Sequence, residues 1–133
     1  MIAYTMVGTR NLDNSIAFYT PIMEILGLEP CWRDEQLASW GKKDNPDVTR
    51  FFTCLPFNEQ DAVPGNGVMV AFRIEDNATI DRLYNMALKN GATDAGKPGP
   101  RPHYSPGFYG AYVLDPDGNK IAFVRYHADR DKP

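Results

Sequence analysis

The apolar positions along the chain follow an order that occurs twice. Residues 2–7 form a short apolar run that is typical of a β-strand. The next apolar residues recur at the spacing of one helical face: Leu12, Ile16, Tyr19, Met23 and Leu26. Gly27 ends this pattern, and Pro21 lies inside it, where it predicts a kink or a local break of the helix.

Three strand-like stretches follow, at residues 28–33, 36–41 and 48–55, and a loop at 57–66 separates the two halves. The second half repeats the order: a strand at 67–74, a helix capped by Asn77 and ending at Gly91, and strands near 92–96, 108–114 and 119–126. The pattern predicts one domain, 1–133, with β-α-β-β-β modules at 1–62 and 67–128 and a short tail at 129–133.

Length and charge narrow the classes of protein to which this chain can belong. Its 133 residues are 43% hydrophobic and 23% charged, which is typical of one ordinary globular domain. The net charge is −3, and no basic cluster with interleaved aromatic residues occurs, so nucleic acid is not an expected partner. No run is long enough to span a membrane, and the first ten residues lack signal-peptide features, so we expect a cytoplasmic protein.

The clearest motif is a predicted hairpin at residues 107–124, with the turn Asp115-Pro116-Asp117-Gly118 between two apolar strands. Its sequence resembles the corresponding segment of the vicinal oxygen chelate superfamily, which includes glyoxalases, bleomycin-resistance proteins and extradiol dioxygenases. The matching residues are Phe108, Tyr112, Val113, Asp115, Pro116, Asp117, Gly118, Asn119 and Ile121. The opening of the chain is similar to the first module of the same superfamily, at Asn11, Leu12, Ser15, Phe18, Tyr19, Leu26, Gly27 and Leu28.

The resemblance implies an α+β fold, in which two tandem βαβββ modules form a curved mixed sheet around a cup-shaped cleft. It also implies a homodimer, because members of the superfamily cover their sheet edges and apolar faces by two-fold association.

Metal-dependent members bind a divalent ion through side chains that project into the cup. The resemblance places these ligand positions on Tyr4, Met69 and Ala122 of this chain. A neutral phenol, a thioether and a methyl group make no ligand set for such an ion. We therefore expect neither a metal nor another cofactor, and an apolar, aromatic-walled cleft in place of the metal site.

Other candidate ligand-binding residues lie in the loop at 98–106, which the resemblance places near the mouth of the cleft. Arg101, His103 and Tyr104 are suited to orienting an anionic or carbonyl-bearing ligand. The alternative is a loop stiffened by prolines whose polar groups only satisfy the backbone. Trp40 is a further candidate for the cleft, although an aromatic residue on a strand packs in a core equally well.

Three functional hypotheses remain from the sequence. The first, which we favour, is a metal-free protein that binds a small organic molecule, with planar cations suggested by the bleomycin-resistance relatives and the acidic chain. The second is a lyase, isomerase or dioxygenase of the superfamily with atypical residues, using His103 or Tyr4 as acid or base. The third is a dimeric interaction module without a small ligand.

Overall fold

The computed structural model describes residues 1–126, which form two βαβββ modules in chain order. Module one contains β1 (Tyr4–Gly8), α1 (Leu12–Ile25), β2 (Glu29–Arg33), β3 (Leu37–Gly41) and β4 (Arg50–Cys54). Module two contains β5 (Met69–Arg73), α2 (Asn77–Lys89), β6 (Thr93–Pro100), β7 (Tyr109–Leu114) and β8 (Lys120–Arg125). The repeated α+β architecture predicted from the apolar pattern is thereby confirmed.

Each module builds one four-stranded mixed sheet with the same topology. The strand orders are β1-β4-β3-β2 and β5-β8-β7-β6. In both sheets the first strand pairs parallel with the last strand of the module, whereas the other neighbours are antiparallel. The helix that follows the first strand supplies the crossover that a parallel pair requires.

The core lies between the helices and one side of the two sheets. Alternate residues along β4 illustrate this, because Phe51 is buried against the helices while the adjacent Phe52 points the other way and is half-buried. The Phe51 ring also lies 5.4 Å from the Phe72 ring of module two, between centroids. The buried residues of both modules therefore form one continuous apolar cluster.

Three local expectations need correction. The helix α1 continues through Pro21 without a break, because Phe18 and Tyr19 before it and Ile22 after it are all buried against the sheet. The cap of α2 is Asp76 rather than Asn77, since its carboxylate accepts a hydrogen bond from the Thr79 amide at 2.7 Å.

The third correction concerns β6, which is longer than predicted and runs to Pro100. It contains Pro98 and Pro100, which a central strand would not tolerate. β6 is the outermost strand of its sheet, so neither proline removes a hydrogen bond to a neighbour on the outer side. The loop that was predicted to begin at residue 98 is therefore confined to residues 101–108.

The turn between β7 and β8 binds module two to module one through three side chains. The Tyr19 hydroxyl donates to the buried Asp115 carboxylate at 2.5 Å, and the Arg10 amide donates to Asp117 at 2.9 Å. The Asn119 side-chain amide donates to the Gly8 carbonyl at 2.8 Å. The Asp-Pro-Asp-Gly-Asn motif is thus a structural clasp between the modules, and we call it the inter-module clasp.

Among residues 1–126, no helix is both long and apolar enough to cross a membrane.

Candidate functional site

The two sheets each have one side without a helix, and we call these sides together the open face. On module one it carries Tyr4 and Met6 of β1, Phe52 of β4 and Trp32 of β2. The Tyr4 and Phe52 rings are in edge contact, with centroids 5.1 Å apart. Tyr4 is 59% and Trp32 60% exposed, so large apolar groups meet solvent here.

On module two the open face combines small residues with a thioether and cations. The strand register places Met69 and Ala71 of β5 on the same side as Ala122 of β8. Met69 is 45% exposed, whereas Ala122 is fully buried between its neighbours Ala71 and Tyr112. Of the three positions that the resemblance assigns to metal ligands, Tyr4 and Met69 are therefore exposed, and Ala122 is buried.

These three positions do not fit a divalent metal ion. One phenol, one thioether and one methyl group offer no set of hard oxygen or imidazole donors. Within residues 1–126 no group of three or more His, Cys, Asp or Glu side chains is arranged to hold an ion.

Arg101 has its guanidinium on the open face, where it binds the end of β6. It donates to the carbonyls of Lys97 at 2.7 Å and Gly99 at 2.9 Å. It also lies over the Tyr112 ring, at 5.6 Å from the centroid. Burial raises the pKa of the Tyr112 hydroxyl, so this phenol is neutral at pH 7. Arg101 therefore holds the end of β6 against Tyr112, and its remaining donors are what a ligand would meet.

His103 and Tyr104 extend the aromatic surface beyond the strand ends. Both side chains are exposed, and their ring centroids are 4.2 Å apart. Tyr104 in turn contacts Phe108 in an edge geometry at 5.2 Å. The loop thus presents rings to solvent next to the Arg101 end of β6, and its residues line neither of the two cavities that contain Lys120.

Trp40 lies on the opposite side of its sheet. It is 2% exposed and packs with Phe51 and Tyr19 under α1, because the parity of β3 pairs it with the inward-facing Phe51. A ligand on the open face does not reach this indole, so we leave Trp40 out of the candidate site.

Trp32 lies on the open face because β2 contains an irregularity. The register between β2 and β3 shifts between Pro30 and Trp32, which places Trp32 opposite Ser39. Its indole N–H donates to the Asp34 carboxylate at 3.0 Å.

The sequence reasoning missed Lys120, the first residue of β8. It lies two residues before Ala122 and is paired with Met69, so strand parity was the signal that places it on the open face. Its ammonium nitrogen lies 5.4 Å from the centroid of the Tyr112 ring.

Known structures with the same architecture were found over almost the whole chain. A glyoxalase/bleomycin resistance protein from Albidiferax ferrireducens T118 is 29% identical, with a TM-score of 0.83 over 96% of this chain and 99% of that one. A glyoxalase-related enzyme from Fulvimarina pelagi is 21% identical, with a TM-score of 0.73 over 98% and 95% of the two chains.

A lactoylglutathione lyase from Agrobacterium tumefaciens is 20% identical, with a TM-score of 0.64 over 94% and 92% of the two chains. At this identity the likeness shows the fold alone. None of the curated proteins compared with the chain matches its sequence significantly. The family model "Glyoxalase/Bleomycin resistance protein/Dioxygenase superfamily" matches residues 1–123. With the clasp motif and the paired modules in place, the chain belongs to the glyoxalase/bleomycin resistance protein/dioxygenase superfamily.

Proposed function

We propose that this protein binds a small organic molecule on its open face without the help of a metal ion. One observation carries the proposal: Tyr4, Met6 and Met69 are about half exposed on the sheet faces to which the resemblance assigns the ion ligands of metal-dependent members. Large apolar side chains grouped on one surface mark a binding site more often than chance exposure does.

The energetics of such a surface favour an organic ring. Covering apolar area contributes about 25 cal/mol per Å², so roughly 300 Å² in all contributes about 7 kcal/mol before the cost of association. Micromolar affinity corresponds to about 8 kcal/mol net, so hydrogen bonds or charge pairing must add to the apolar contact. His103 and Tyr104 supply the polar and aromatic groups closest to one end of this surface.

Titration with Nile red, a neutral planar dye, tests the proposal. We expect the wild-type protein to enhance the dye's fluorescence and the double variant Tyr4→Thr/Met6→Thr to lose most of the enhancement. Phe57→Thr is the matched control, because Phe57 is fully exposed but lies in the loop between the modules. His103→Ala should reduce the signal less than the double variant does. Equal signals from wild type and double variant would contradict the proposal.

The metal-free part of the proposal has its own test. After incubation with Zn²⁺, Ni²⁺, Mn²⁺ or Fe²⁺ and dialysis, we expect far less than one ion per chain, because Tyr4, Met69 and Ala122 supply no ligand set. About one tightly bound ion per chain, lost in a Met69→Ala variant, would contradict it.

A second copy of the chain is the other candidate occupant of the open face. Its large exposed apolar side chains also favour self-association, which the superfamily resemblance predicts as a homodimer. Sedimentation equilibrium should then give twice the chain mass of 14.9 kDa at micromolar concentration. If Tyr4→Thr/Met6→Thr abolishes the dimer and the wild type binds no Nile red, the interaction module replaces ligand binding as the function.

A further inference from the structure

Two cavities share residues of the segment 63–68: one reaches both modules, and the other is lined by this segment and module two. One has a volume of about 200 Å³ and the other about 680 Å³. Both are lined by Gly65, Val68 and Lys120. The smaller cavity is otherwise mainly apolar and reaches both modules, with Met6 from β1 and Val70 from β5 in its wall.

Among residues 1–126, Lys120 is the single charged residue in the walls of both cavities. Its side chain is exposed, and within residues 1–126 its ammonium group makes no hydrogen bond or ion pair, only the contact with the Tyr112 ring. A ring face attracts a cation, but it is not a conventional hydrogen-bond acceptor for the three N–H groups of the lysine ammonium. No described residue therefore pairs with the positive charge of Lys120, which lies beside a mainly apolar space.

The carboxylates nearest in sequence are already used by the inter-module clasp. Asp115 accepts hydrogen bonds from Tyr19 and from both nitrogen atoms of Asn119. Asp117 accepts from the Arg10 amide and lies 3.6 Å from the Arg10 guanidinium. Neither forms an ion pair with Lys120, so the turn leaves the charge of this lysine uncompensated.

Other cations on the same sheet reinforce this local charge. The Arg101 guanidinium also contacts the Tyr112 ring, and the guanidinium of Arg73 on β5 lies 4.5 Å from the centroid of the Tyr126 ring. Among the described residues, neither arginine forms an ion pair with a carboxylate. The open face of module two is thus locally positive, although the whole chain carries a net charge of −3.

We infer that the ligand is a small anion with a compact apolar body, in the simplest case an aromatic or branched aliphatic carboxylate. The anionic group pairs with Lys120, and the apolar body occupies the cavity between the modules, against Met6 and Val68. This inference rests on the proposed function and specifies its ligand. It replaces the planar cation that the net charge suggested, because a ligand responds to the charge near its site and not to the sum over the chain.

Three probes of one shape separate the charge from the apolar body: naphthalene-2-carboxylate, the neutral naphthalen-2-ylmethanol and the cationic naphthalen-2-ylmethylammonium. Isothermal titration calorimetry on the full chain should give the tightest binding for the carboxylate, at least tenfold over the alcohol. The ammonium compound should bind most weakly. Raising the ionic strength should lower the affinity for the carboxylate and leave the affinity for the alcohol unchanged.

Variants assign the preference to one residue. Lys120→Met keeps an aliphatic side chain without the charge. It should lower the affinity for the carboxylate about tenfold and leave the affinity for the alcohol unchanged. Lys120→Arg should retain the preference, and Lys89→Met, an exposed site at the end of α2, should match wild type. Thermal denaturation of each variant confirms that it is folded.

The outcomes distinguish this inference from the proposed function. Alcohol or ammonium binding as tight as the carboxylate, or an unchanged carboxylate affinity in Lys120→Met, would overturn the anionic ligand while ligand binding itself stands. If no probe binds and Nile red shows no enhancement, both proposals are overturned. If Nile red is enhanced but no naphthalene probe binds, the anionic ligand alone is overturned.

Discussion

The two sides of the sheets differ in how closely their side chains are packed. On the helix-facing side, Phe51 contacts the rings of Tyr19 and Phe72 and is 1% exposed. One residue further along the same strand, Phe52 has one ring neighbour, Tyr4, which is itself mostly exposed. Neighbouring positions on one strand thus differ: one side chain is packed in the core, and the other remains partly exposed.

The same contrast separates the recognisable motif from the candidate site. The Asp-Pro-Asp-Gly-Asn turn is the part of the chain most typical of the superfamily, yet its side chains bind module two to module one. The resemblance assigns the metal-ligand positions of the superfamily to Tyr4, Met69 and Ala122, all outside this turn. A motif that maintains the architecture is therefore compatible with very different ligands on the open face.

The largest expected effect separates the two phenylalanines of β4. Phe51→Ala should lower the free energy of unfolding by about 4 kcal/mol, because it opens a cavity in the core. Phe52→Ala should lower it by about 1 kcal/mol, since that ring is only half-buried. Urea denaturation of both variants measures the difference. Equal losses would show that the open face is covered in solution, for instance by a second copy of the chain.

A second test addresses the clasp between the modules. Asp115→Ala should lower the free energy of unfolding by about 3 kcal/mol, because the buried donors of Tyr19 and Asn119 lose their acceptor. Asp13→Ala is the control, as Asp13 is exposed and forms only a surface ion pair with Arg33, worth up to about 1 kcal/mol. If the two variants lose the same stability in urea, the clasp contributes no more than a surface contact.

The smallest expected effect depends on pH. Burial, together with the neighbouring Asp115, raises the pKa of Tyr19 well above its ordinary value of about 10. Above about pH 10 the unfolded chain loses the Tyr19 proton while the folded chain keeps it, so the free energy of unfolding falls as the pH rises. Tyr19→Phe should lower the free energy of unfolding by about 1 kcal/mol at pH 7, because the hydrogen bond is lost. It should also make the decrease in stability above pH 10 less steep.

Urea denaturation near neutral pH and above pH 10 measures the Tyr19 effect. Tyr104→Phe is the control, because Tyr104 is 58% exposed, and its alkaline fall should equal that of the wild type. A Tyr19→Phe curve parallel to the wild-type curve at all pH values would contradict the assignment of this contribution to Tyr19.

The sequence alone was sufficient for the modules, their order and the family. Helices and strands leave periodicities of 3.6 and 2 residues in the pattern of apolar positions, and turns require particular residues such as Gly27 and Pro116. These are relations between near neighbours, so they can be seen in one chain. The resemblance predicted that Tyr4 and Met69 face the cleft, and both side chains are exposed on the helix-free sides of their sheets.

Only the tertiary structure decided which side chains are available. Trp40 and Trp32 are both strand residues, but the register shift in β2 and the packing of α1 leave one exposed and the other buried. Charge compensation around Lys120 likewise depends on groups distant in the sequence, because Tyr19 and Arg10 of module one bind the Asp115 and Asp117 carboxylates. Exposure and charge compensation are set by non-local neighbours, and no local pattern in the chain encodes where those neighbours will lie.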